Sequence, residues 1–198
     1  VESNILLPGG STALKDICLS PDGKYAYVSH LLSRYLMPTT QLNRGWVITN
    51  AFTVIDVEKD SLVNTVLVDD IYQGAANPWG ITVSQDGRSL LLTHSGTHEI
   101  SIIKLDELHK KLGEVSLGKE VSFSKKPEDV KHDLGFLGAS RTRVKLQGNG
   151  PRELIEREGK IYIGEYYSGS LGIVTASDLS HIQSIHLGIK AEPDFRKK

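Results

Sequence analysis

One cysteine, one methionine and two tryptophans stand among 198 residues, and aromatic side chains make up only 7% of the chain. A single cysteine excludes an internal disulfide, and Cys18, set between Ile17 and Leu19, reads as a small core residue rather than a nucleophile. A surplus of one charge is also missing. Lys and Arg number 23 against 24 Asp and Glu, so the net charge is −1. That balance excludes the basic surface that nucleic acid or an anionic membrane would require. No apolar run approaches the roughly 20 residues that span a bilayer. The start, VESNILLPGG, lacks the basic and apolar regions of a secretion signal. The chain is therefore expected to be cytoplasmic, or to be given without its leader. Glycine-rich phosphate loops and a Ser-His-Asp set are not identifiable either.

What is present is a repeat. SPDGKYAYVSH (20–30), SQDGRSLLLTH (84–94) and EREGKIYIGE (156–165) share a polar residue, a turn glycine, a basic residue and an apolar strand. Asp22-Gly23 and Asp86-Gly87 are hairpin signals, because glycine tolerates the positive φ of tight primed turns; Glu158-Gly159 is a weaker version. A strand precedes each turn (LKDICLS, PWGITVS, PRELIE) and a third follows (AFTVIDV, EISIIKL, LGIVTA). A fourth is read in LVNTVLVDD, RTRVKL and IQSIHLG. β-Branched and apolar runs between Gly, Asp and Ser clusters support strands over helices. Four short antiparallel strands per repeat make the blade of a β-propeller, so the expected fold is all-β.

The turn glycines are 64 and then 72 residues apart, against the roughly 40–50 of propeller repeats. Two insertions account for the excess. One spans about 31–50, between the second and third strands of the first blade. The other spans about 106–140, where LDELHKKLGEV and PEDVKHDLGFLG read as short helices. The expected blades run roughly 11–70, 76–146 and 150–188. Closed propellers use four or more, so three blades imply part of a larger propeller or assembly with another chain. NILLPGG resembles the outer strand of a further blade.

These segments resemble YVTN-type β-propeller repeats of bacterial and archaeal envelope proteins, whose blade runs from a proline through S-P-D-G-K to two further strands. SPDGKYAYVSH…AFTVIDV and NPWGITVSQDGRSLLLTHSGTHEISIIKL match closely, and GNGPRELIEREGKIYIGEYYSGSLGIV less so. TTQLNRGWVITNAF, GAANPWG and GNGPR are similar to a subgroup joining such a propeller to a c-type cytochrome, peroxidase-like module. The resemblance implies a periplasmic or cell-surface location and an association with redox chemistry. No Cys-x-x-Cys-His haem motif exists here, so no cofactor is expected in this chain.

Loops between second and third strands, and between blades, should gather on one face. That face would carry Arg44 and Trp46 of the first insertion, Asn77 and Trp79, and Asn149 and Arg152. His30, His94 and Glu165 occupy one equivalent position, the end of the second strand, where YVTN repeats usually carry Asn. They are expected on the rim of that face. His94 and His98 flank Ser95-Gly96-Thr97; a hairpin loop suits them better than a metal site, since no third ligand lies near, and no metal is expected. Trp79 and Arg152 are the candidates for an anion or a flat ligand. The expected function is non-catalytic: a propeller segment presenting this loop face to a protein partner or small ligand. The alternative is the substrate-positioning or electron-transfer-docking part of a c-type haem oxidoreductase. A propeller enzyme working through its axial channel is a third reading, for which Asp16 is the clear acidic candidate.

Overall fold

The computed structural model describes residues 3–33 and 47–188. It contains three separate four-stranded antiparallel sheets. The first is β1 (Ser11–Leu19), β2 (Tyr25–Ser33), β3 (Ile48–Asp56) and β4 (Ser61–Leu67). The second is β5 (Pro78–Val83), β6 (Ser89–His94), β7 (Glu99–Lys104) and β8 (Arg141–Lys145). The third is β9 (Pro151–Arg157), β10 (Lys160–Glu165), β11 (Ser170–Thr175) and β12 (Asp178–His186). Each sheet is a plain meander in chain order, so each is one blade. β1, β5 and β9 pack side by side as the innermost strands. The chain is thus part of a β-propeller. No helix among the described residues is long and apolar enough to cross a membrane.

Ser20 and Ser84 build the first two turns identically. Each hydroxyl donates to the Asp two residues on and receives the amide of the residue opening the next strand. Only Gly23 and Gly87 take positive φ there, both 73°. The Asp side chains, not a primed turn, close these corners. Glu158 and Gly159, at 51° and 73°, do make the primed geometry.

The first insertion begins later than its sequence suggests. Leu31, Leu32 and Ser33 still pair with Asn50, Thr49 and Ile48. Residues 3–8 form no strand. The second insertion carries α1 (Leu105–Ser116) and short 3-10 turns at Pro127–His132 and Gly138–Ser140. Leu105, Leu108, Leu112 and Val115 are spaced along one face of α1 and buried. They join Val130 and Phe136 against Tyr27, Phe52, Val66 and Ile103 of the first two blades. A second cluster, with Leu91, Ile100, Leu154, Ile161 and Ile163, fills the joint between the second and third blades.

Candidate functional site

The register aligns Lys15, Trp79 and Arg152 as one repeat position on the three inner strands. Their side chains meet. The Lys15 Nζ and the Arg152 Cζ each lie 4.3 Å from the centre of the Trp79 ring. Arg152 also stands 3.5 Å from the centre of Tyr166 and 5.9 Å from that of Tyr167. Cations over aromatic faces in this range attract the ring quadrupole. The Arg152 Nε is buried and has no hydrogen-bond partner among the described residues. The cluster opens into a cavity of about 530 Å³, lined also by Glu153, Gly164, Ser170 and Leu187. Tyr166 and Tyr167 are 61% and 65% exposed.

The backbone around this cluster explains the glycine and asparagine pattern. Gly80 passes so close to the third blade that a Cβ there would stand 2.2 Å from the Arg152 carbonyl oxygen. Gly150, at φ 66°, leaves the space taken by the Tyr167 ring. Asn77 takes a left-handed φ of 59°, with its N–H on the Asn50 Oδ1. Asn149 is exposed and donates its N–H to the Ser168 hydroxyl. His98, at φ 56°, accepts the Gly150 N–H at its Nδ1 over 3.0 Å. It ties the second blade to the loop that opens the third.

The rim expected of His30, His94 and Glu165 does not form. The three are equivalent, facing Ala51, Glu99 and Ser170 across their strand pairs. All are buried inside their blades. The His30 Nε2 bonds the Thr53 hydroxyl at 2.8 Å, and the His94 Nε2 bonds the Ser101 hydroxyl at 2.7 Å. In the third blade Gly172 replaces that hydroxyl residue. Glu165 fills the space, accepting from the Gly148 N–H and from the hydroxyls of Ser170 and Ser184. A side chain at the end of a strand looks like surface in sequence; here the neighbouring strands still cover it. Burial holds both histidines neutral, lowering the pKa of His30 and, with Arg141 nearby, that of His94 to about 3. His94 and His98 bond different partners, and no cluster of metal-ligating side chains occurs among the described residues. Arg44 and Trp46 lie outside the described residues.

Three features were not read from sequence. Lys15, Tyr166 and Tyr167 complete the Arg152 cluster. Asp69, buried just after β4, accepts the Asn50 amide groups and the Ala75 N–H, shaping the approach to β5. Arg143 bridges Glu99 at 2.6 Å and Asp70 at 2.9 Å, and Arg141 reaches the Val68 carbonyl and Asp70. Burial opposes the charge of Glu99, but the Arg143 hydrogen bonds prevail and its pKa is lowered. On the innermost strands, Asp16 accepts the Ile81 N–H, while Glu153 is pushed toward protonation by desolvation and by Asp16. Cys18 is part-buried, and burial followed by Asp16 raises its thiol to about 12. A thiol held protonated at neutral pH is a poor nucleophile.

No protein-family model matches the chain. It is 28% identical over 173 residues to hydrazine synthase subunit beta of Kuenenia stuttgartiensis, covering 85% of this chain and 42% of that protein. The chain therefore spans less than half the length of that curated relative. Among solved structures, Kuenenia stuttgartiensis hydrazine synthase superposes with a TM-score of 0.71 at 23% identity, over 84% of this chain and 46% of that one. Dihydro-heme d1 dehydrogenase NirN, solved in complex with DHE, gives 0.54 at 11% identity, over 90% and 29%. The periplasmic gluconolactonase PpgL of Pseudomonas aeruginosa gives 0.50 at 17%, over 87% and 42%. These structural likenesses establish the fold: three blades of a β-propeller.

Proposed function

We propose that this chain belongs to an extracytoplasmic propeller subunit of a multi-subunit redox enzyme, where it docks and positions other components and makes no bonds itself. The observation that carries this reading is the Arg152 cluster. A guanidinium with an unpartnered buried Nε, set among Trp79, Tyr166 and Tyr167 beside an open cavity, suits recognition. Its cation and rings hold a ligand by charge and stacking rather than by covalent chemistry. The sequence likeness to a protein named as a subunit supports membership of an assembly. The YVTN-like repeats support an extracytoplasmic setting. Any c-type haem would lie outside these residues, since they hold one cysteine and no attachment motif.

The full-length protein, purified with whatever holds it, tests this by size exclusion with absorbance read at the Soret band. The expected result is a haem-bearing particle that Arg152→Gln weakens. A full-length protein that runs alone without haem absorbance overturns the proposal. A second reading, a partner-binding scaffold with no redox association, is favoured by the exposed Tyr166 and Tyr167. It predicts a particle without the Soret band.

A further inference from the structure

We infer that Asn149-Gly150 is a self-modification site, where the fold converts Asn149 to aspartate and isoaspartate with His98 as the base. The reaction is intramolecular. The Gly150 backbone nitrogen attacks the Asn149 side-chain Cγ and closes a succinimide ring, which water then opens. Asn149-Gly150 is the one Asn-Gly pair in the chain. Glycine favours the closure, because no Cβ crowds the attacking nitrogen. Asn77 has no such route, since the Pro78 nitrogen carries no proton to give up.

An amide nitrogen attacks only once its proton has somewhere to go. Gly150 is buried, so bulk water does not take it. The His98 Nδ1 accepts that N–H at 3.0 Å, within the reach of a general base. An imidazole accepting at Nδ1 carries its own proton on Nε2 and is free to take another. His98 holds this place at φ 56°, and strain of this kind gathers at functional sites. The charge left on the peptide spreads to the Asn149 carbonyl oxygen. That oxygen accepts the Tyr167 N–H at 3.1 Å, a donor set where charge develops. Base and donor therefore address the two ends of one peptide unit.

The backbone on either side is fixed and the side chain is not. The Asn149 N–H donates to the Ser168 hydroxyl at 2.7 Å, and the Gly150 carbonyl accepts the Tyr166 N–H at 3.0 Å. The Asn149 side chain is exposed and makes no hydrogen bond among the described residues, so it can fold back onto the Gly150 nitrogen. One N–Cγ bond forms and one Cγ–N bond breaks. The side-chain nitrogen leaves as ammonia with the proton that Gly150 gave up. Water then adds at either ring carbonyl and restores the Gly150 N–H, one water consumed for each ammonia released. Opening at one carbonyl gives aspartate. Opening at the other gives isoaspartate, whose main chain is one atom longer just before Gly150, where the Tyr167 ring leaves no slack.

The test holds the folded full-length protein at neutral pH in isotopically heavy water, then digests it in ordinary water. Only conversion in the folded chain carries the label. The tryptic peptide LQGNGPR (146–152) is expected to show labelled aspartate and isoaspartate at position 149, told apart by electron-transfer fragmentation. Urea should slow the conversion, because unfolding parts Gly150 from His98 and Asn149 from Tyr167. His98→Asn keeps an acceptor near the place of Nδ1 and suits a left-handed φ, but an amide is no base. It should slow conversion of the folded protein about 100-fold, the lower end for a positioned base, and match the wild type in urea. An unlabelled position 149, a conversion that urea leaves alone or quickens, or a His98→Asn variant as fast as the wild type overturns the inference.

Discussion

The joint between the first and second blades and the joint between the second and third share one seam and a cleft, and differ in what packs around them. At the seam, the Ser29 hydroxyl donates to the Trp79 carbonyl, and the Thr93 hydroxyl, one repeat later, donates to the Arg152 carbonyl. Both joints keep a cleft at the turn end, of about 450 Å³ and 480 Å³. The first cleft is lined by Tyr25, Tyr27, Asp22, Asp86, Asp106 and His109. His109, from α1, bonds the Tyr27 hydroxyl at 2.8 Å and lies 4.2 Å from the Tyr25 ring. The second cleft has Leu91, Ile102, Ile161 and Leu179 in its wall instead. Farther out, α1, Val130 and Phe136 add to the first joint alone, and Lys111 binds the Phe136 and Leu137 carbonyls. The repeat dictates how inner strands meet, and the insertion decides the chemistry and depth of one joint.

Phe136→Ala should have the largest effect, about 3–5 kcal/mol, because a fully buried ring leaves a cavity. Urea unfolding measures it. If the joints are independent, hydrogen exchange should quicken in β4 and α1 but not in β10 and β11; equal quickening erases the contrast. Arg143→Met comes next, at about 3 kcal/mol, since it leaves the buried Glu99 without its partner. The pair Arg143→Met with Glu99→Leu should recover most of that loss. Gly80→Ala strikes the second joint most directly. Its Cβ must push back the Arg152 carbonyl, costing about 1–3 kcal/mol, and hydrogen exchange should quicken more in β9 and β10 than in β2.

The smallest effect, as read at mildly acid pH, is one of protonation. His94 has its folded pKa depressed from 6.5 to about 3, so the unfolded chain binds the proton first. Stability from this residue is therefore complete above pH 6.5 and is lost as pH falls toward 3. One pH unit below the unfolded value the loss is about 1.4 kcal/mol. His94→Asn should flatten the acid limb of stability against pH, leaving the shallower share of His30, whose pKa is lowered in the same direction. An unchanged slope would mean that His94 is protonated in the folded state.

The blades were legible because Ser-Pro-Asp-Gly and Ser-Gln-Asp-Gly fix local corners, and strand alternation around them needs no distant partner. Trp79 and Arg152 were legible as chemistry, but their companions were not. Lys15 hides because β1 bulges between Thr12 and Asp16, with Ala13 at φ 50°, so its equivalence appears only in the strand pairing. The adjacent Tyr166-Tyr167 in the loop after Glu165 was a signal that could have been used. His30 and His94 misled for the opposite reason. Their polarity suggested surface, whereas depth inside a blade depends on neighbouring strands that no local pattern encodes. Arg141 and Arg143 answer to Asp70 and Glu99 across two blades, a match without any repeat period.

Gly164 occupies the position held by Ser29 and Thr93 in the preceding blades, so it has no hydroxyl to offer a neighbour's carbonyl. Whatever packs against that edge meets a seam without the side-chain hydrogen bond that fastens the two joints before it. The Arg152 cavity lies against this unfastened edge.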